Sequence, residues 1–135
     1  MTTVDPAEVQ WQLPRTPRSA TRARALLRTQ LSTWGIHGDP AATAELLLSE
    51  LVGNAVRHAG TPRGRQIGVR FARYDGTLRV EVADADDRLP APRVAACDDE
   101  GGRGLAVVDA LAERWGHCPR PHGIGKTVWA EVAAG

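Results

Sequence analysis

The chain has 135 residues, 42% of them hydrophobic, with a formal net charge of +1. That length suffices for one domain, expected to span 1–135, whose core needs no disulfide or metal staple. Near-neutral charge speaks against nucleic acid or an anionic membrane as the main partner, and no apolar run reaches the length of a membrane span.

The N-terminus carries no signal-peptide core, so a cytoplasmic location is expected. Cys97 and Cys118 are too few for a disulfide framework. With His117 and His122 they match no ordinary zinc spacing and read as bystander thiols.

In chain order, Glu8 to Leu13 alternates, with Val9, Trp11 and Leu13 on one side, and predicts a first strand that Pro14 ends. Thr16-Pro17 reads as an N-cap followed by proline at the first helical position. The helix is predicted to run to Trp34, with Gly35 as its stop. Ala20, Ala23, Leu27, Leu31 and Trp34 form its inward face. Arg15, Arg18, Arg22, Arg24 and Arg28 form a basic outer face, either solvated or a docking surface for an acidic partner.

Asp39-Pro40 starts a second helix, predicted to end at Gly60. Leu47, Leu51, Ala55 and Ala59 make its apolar face, and Glu50, Asn54 and His58 make one polar stripe. At i, i+4, i+8 each residue advances only about 40° around the axis, so the three share a face. A carboxylate, a carboxamide and an imidazole beside leucines fit either a solvated face or a site for something charged or hydrated.

After a loop rich in Pro, Gly and Arg come two strands, Gln66 to Tyr74 and Thr77 to Asp84, joined by Asp75-Gly76. Asp-Gly between alternating segments predicts a tight hairpin, with Val69, Phe71, Leu78, Val80 and Val82 inward. A loop follows from Ala85 to about Gly102. A third helix is predicted to open at Arg103 or Gly104 and to run to Trp115, with Leu105, Val108 and Leu111 on one face. The stretch from Gly116 to Gly125 reads as turn-like with room for a short strand pair, and Thr127 to Val132 as the last strand. This order predicts an α+β fold: a two-layer sandwich with a mixed, mostly antiparallel sheet and helices on one face.

Three more motifs bear on the polar stripe. Asp84 ends a strand, where a carboxylate can accept a hydrogen bond from an exocyclic amine such as adenine N6, or simply cap or bind water. Glu100-Gly101-Gly102-Arg103-Gly104-Leu105 lets backbone N–H groups approach a phosphate before a helix, or serves as an ordinary turn. Gly125-Lys126-Thr127, holding the chain's only lysine, places a hydroxyl at the start of the final strand.

Taken together, from about Thr16 to Val132, these motifs resemble the GHKL superfamily with its Bergerat ATP-binding fold, and within it the anti-sigma-factor serine kinases. The resemblance implies ATP and Mg2+ as cofactors. It implies Glu50 as general base, Asn54 as magnesium ligand through its amide oxygen, and Asp84 as the selector of adenine. It places Gly102 and Gly104, with the adjoining Leu105, in the lid over the phosphates. Thr127 would support the adenine end, directly or through water, and Arg57 and His58 would make supporting contacts. Arg103 is a phosphate contact by its chemistry or a surface arginine. One departure stands out: where the family often has D-x-G-x-G, this chain reads Asp84-Ala85-Asp86-Asp87-Arg88, with fewer glycines and more negative charge.

Three functions compete. One is an ATP-dependent serine kinase that phosphorylates a small anti-sigma-factor antagonist and binds a sigma factor. Another is a nucleotide-dependent binding switch without catalysis. The third is a detached histidine-kinase or gyrase-type ATPase domain, disfavoured because the chain has no phospho-accepting histidine on a long dimerisation helix. Glu50 favours the first over the second, since a pure binder needs no base. Members of the family commonly pair, so the resemblance also admits a homodimer.

Overall fold

The computed structural model describes residues 7–58, 66–84, 105–119 and 126–134. Strand β1 (Ala7–Pro14) leads into helix α1 (Arg18–Trp34), then α2 (Asp39–His58). Strands β2 (Gln66–Tyr74) and β3 (Thr77–Asp84) form the hairpin, followed by α3 (Ala106–Leu111), β4 (Arg114–Pro119) and β5 (Lys126–Ala133). The sheet runs β1-β2-β3-β5-β4 with every described pairing antiparallel.

Period-two alternation decides which face of the sheet is buried. Ile67, Val69 and Phe71 of β2, Leu78, Val80 and Val82 of β3, and Val128, Ala130 and Val132 of β5 share one core. Ala23, Leu27 and Leu31 of α1 and Ala44, Leu47, Leu48, Leu51, Val52 and Ala55 of α2 close it from above. The helices therefore cover one face, as the sequence predicts. Each such leucine, fully buried, contributes about 2 kcal/mol of transfer free energy, which is why α2 holds its place across β3 and β5.

Gly35 and Asp75-Gly76 act as expected, whereas Thr16 does not cap α1: the N-cap is Pro17, with no side-chain cap hydrogen bond. At the end of α1, Gly35 adopts φ 74°, and the Ile36 N–H donates to the Leu31 carbonyl at 2.9 Å, a Schellman-type stop that also buries Ile36. Asp75 and Gly76, at φ 49° and 72°, make the hairpin turn with both central residues left-handed. Pro17 has helical dihedrals (φ −58°, ψ −28°). Just inside the helix, the Ser19 hydroxyl donates to the Pro14 carbonyl and is buried, an inward residue that its polarity hid from the sequence reading.

The third helix differs from expectation. It begins at Ala106, not Arg103 or Gly104, and ends at Leu111, not Trp115. Ala112 turns extended (φ −82°, ψ 148°), and the Glu113 N–H donates to the Glu131 carbonyl at 2.8 Å. An open edge of β5 outcompetes another helical turn, because it offers Arg114–Pro119 a full ladder. Trp115 still packs on the core, now from a strand, and its indole N–H donates to Asp109 at 2.9 Å. The predicted loop from Ala85 to Gly102, and Ala59 and Gly60 at the expected end of α2, lie outside the described residues. Among the described residues no helix is long and apolar enough to cross a membrane.

Candidate functional site

The polar stripe of α2 lies on the flank turned away from α1. Arg28 Nε pairs with Glu45 at 3.1 Å and Arg24 donates to Ser49 at 3.0 Å, so Glu45 and Ser49 mark the flank facing α1. Glu50 and Asn54 lie roughly 140–180° around the axis from Glu45. Helix α3 contacts α2, and its Val108, with Leu105 just before it, is buried in the same core. The stripe thus occupies the side of α2 away from α1.

Asn54 is 9% exposed. Among the described residues its carboxamide has no hydrogen-bond partner. An unpaired buried amide costs about 1–3 kcal/mol, and few native groups are left so without a reason. Glu50, one turn earlier and half-buried, likewise has no ion-pair partner among the described residues. A carboxamide oxygen and a carboxylate, one turn apart and unpaired among the described residues, form a hard oxygen donor set suited to a magnesium ion and a proton-accepting base.

Between them lies a feature that the sequence reading passed over. Gly53 interrupts a good helix at a cost of about 1 kcal/mol relative to alanine, and a Cβ there would lie 3.2 Å from Arg57 Nη1. The exposed Arg57 side chain folds back over this glycine. A mid-helix glycine four residues before an arginine was the available signal.

The other predicted positions are distributed as follows. Asp84 is the last residue of β3, paired with Ile67 on one side and Lys126 on the other. Thr127 pairs with Ala83 and Cys118. In the alternation of β5 it falls with Trp129 and Glu131, opposite the core set of Val128 and Ala130. The strand pairing brings Lys126 directly across from Asp84, with Thr127 one residue further along β5. Leu105 is buried at the start of α3. Gly102, Arg103 and Gly104, and the side chains of His58 and Asp84, lie outside the described residues.

Of the basic face of α1, Arg24 and Arg28 are tied to α2, whereas Arg18 and Arg22 are exposed. The expected outer surface is thus split between a structural half and a free-standing half.

The chain is similar to known proteins in sequence and in fold. A Streptomyces coelicolor protein, the uncharacterized SCO4941, is 40% identical over 72 residues, covering 51% of this chain and 67% of that protein. The crystal structure of the RsbU and RsbW domains of Rv1364c from Mycobacterium tuberculosis superposes with a TM-score of 0.67 at 26% identity, covering 93% of this chain. This chain spans 32% of the mycobacterial one. The histidine kinase domain of the blue-light activated histidine kinase from Erythrobacter litoralis EL346 shares the fold, with a TM-score of 0.55 at 21% identity over 90% of this chain and 61% of that one. The sequence profile of the histidine kinase-like ATPase domain matches residues 13–131. The chain belongs to this family, and through it to the GHKL superfamily.

Proposed function

We propose that the chain is a Mg-ATP-dependent regulatory serine kinase of the anti-sigma-factor type, with residues 1–135 acting as one domain. The observation that carries this reading is the buried carboxamide of Asn54 one turn from the half-buried carboxylate of Glu50, both without a partner among the described residues. That pair fits a bound magnesium and a base, whereas a purely structural helix face would satisfy or expose both groups. Magnesium, when bound, neutralises phosphate charge and spares the protein most of the electrostatic work of phosphoryl transfer.

Each residue then has a role. Asn54 holds the metal through its amide oxygen, and Glu50 accepts the proton of the incoming serine hydroxyl. Asp84 selects adenine through N6. Arg57, resting over Gly53, and His58 contact the nucleotide. Gly102, Arg103, Gly104 and Leu105 line the lid. Thr127 supports the adenine end, directly or through water. Likeness to a chain with an RsbW domain supports a sigma factor and an anti-sigma-factor antagonist as partners. The exposed Arg18 and Arg22 offer an acidic partner a place to dock.

A second reading, nucleotide binding without transfer, draws on Ala85-Asp86-Asp87-Arg88, whose acids replace glycines after Asp84. The two readings part in one experiment. The protein and its Glu50→Ala variant are incubated with γ-labelled ATP and candidate serine-bearing antagonists, and label on serine is measured alongside ATP affinity. The kinase reading expects transfer by the parent only, at equal ATP affinity. Equal transfer by both would move the base elsewhere, and ATP binding without transfer to any acceptor would favour the switch.

A further inference from the structure

The outer surface of α2 changes character at Glu50. On the C-terminal side the stripe continues to Asn54, and Arg57 folds back over Gly53. One turn to the N-terminal side stands Leu46, 45% exposed. Among the described residues of α1 and α2 it is the one large hydrophobic side chain left so open, while Leu47, Leu48 and Leu51 beside it lie in the core. The helix wheel explains the exposure. Leu46 lies about 100° from Glu45, which faces α1, and only about 40° from Glu50. Its neighbours one turn away on α2 are Ala42, Thr43, Ser49 and Glu50, so α2 offers no cation there.

Phosphoryl transfer gives this place a direction. The attacking and leaving oxygens lie roughly in line across the phosphorus. Along the axis Asn54 stands about 6 Å beyond Glu50, and Arg57 and His58 about 10–12 Å beyond it. A nucleotide held by those three residues puts its leaving oxygen on the C-terminal side of Glu50. The incoming hydroxyl therefore arrives from the N-terminal side, and the first exposed side chain on that path is Leu46.

We propose that Leu46 forms the acceptor subsite of the kinase and receives an apolar side chain that shares a face with the acceptor serine. This rests on the kinase reading above and adds the class of its protein substrate. In the step, serine Oγ bonds to the γ-phosphorus, the bond from that phosphorus to the β–γ bridging oxygen breaks, ADP leaves, and the hydroxyl proton passes to Glu50. Leu46 is a positioning residue that sets the hydroxyl against the base. Side chains one helical turn apart have Cβ atoms about 5–6 Å apart. Same-face residues of an extended segment are separated by about 6.6 Å. An extended acceptor can thus lay its serine on Glu50 and the residue two places away on Leu46. An acidic residue in that place would face the Glu50 carboxylate with no cation from α2 to offset it, so the subsite rejects acids.

A positional library of serine peptides, labelled from γ-labelled ATP by the parent and by Leu46→Arg, tests this, with the ATP affinity of both measured by calorimetry. Two residues from the serine, the parent should prefer leucine, isoleucine or methionine over aspartate by at least about fivefold. Leu46→Arg should turn that preference toward aspartate and glutamate. It should hold ATP affinity within about twofold, since the replaced side chain is exposed and arginine suits a helix. Labelling with no preference at the flanking positions, an apolar preference that survives Leu46→Arg, or ATP binding lost in that variant would overturn this inference alone. Bound ATP with no serine labelled by the parent would overturn the kinase reading and this inference with it.

Discussion

Asn54 stands one turn beyond Glu50 on α2, its carboxamide buried at 9% exposure and without a hydrogen-bond partner among the described residues. The helix could have satisfied or buried this position cheaply with leucine, as it does at Leu47, Leu48 and Leu51. A polar group retained there at a stability cost indicates that something other than folding selects it.

The cost can be read directly. Replacing Asn54 with leucine should stabilise the nucleotide-free protein by about 1 kcal/mol, since it removes an unpaired buried amide at nearly constant volume. Magnesium-dependent nucleotide binding should be lost in the same variant. Thermal melts with and without Mg-ATP check both. A variant that is less stable and still binds would return Asn54 to a structural role.

The arginines of α1 make separable predictions because the structure divides them. Arg18→Glu with Arg22→Glu should weaken an acidic protein partner by about tenfold or more while leaving ATP affinity alone. Arg28→Glu should cost at most about 1 kcal/mol of stability through its exposed pair with Glu45. Partner pull-down titrations and chemical denaturation distinguish the two effects.

On the sheet's other face the ion network sets an acid limb. Burial pushes the Glu131 carboxyl up, but hydrogen bonds from Tyr74 and Arg79, with the charges of Arg79 and Arg114, outweigh it and hold the group below its ordinary 4.5. A depressed carboxylate contributes stability that is complete above the unfolded value and is lost as pH falls through the folded one. Melts between about pH 7 and about pH 3 should therefore show a loss that Glu131→Gln flattens. Tyr74, which donates to Glu131 at 2.6 Å, is raised first by burial and then by that bond, so its contribution falls only as pH rises past its ordinary 10.0.

Most of the fold was legible because local signals agreed with the global packing. Gly35, Asp75-Gly76 and the alternation of Gln66 to Asp84 each do in space what their chemistry predicts. Trp115 did not, because its spacing from Leu111 and Val108 suits a helix as well as a strand edge. The choice was made by the free edge of β5, which no local window contains. The stripe of Glu50 and Asn54 was readable from spacing alone. The back of the sheet was not, since its row of Glu8, Ala72, Arg79, Glu131 and Arg114 comes from four strand registers at once. The pairing of Lys126 with Asp84 likewise comes from strand register, which no local window contains.

The most direct test of the account is a calorimetric titration of the purified protein with ATP, with and without magnesium. The account predicts saturable binding that strengthens at least about tenfold when magnesium is present. Binding of equal strength without the metal would contradict the assignment of Asn54, and no heat at roughly millimolar ATP, near the weakest affinity a nucleotide site would show, would contradict the nucleotide site itself.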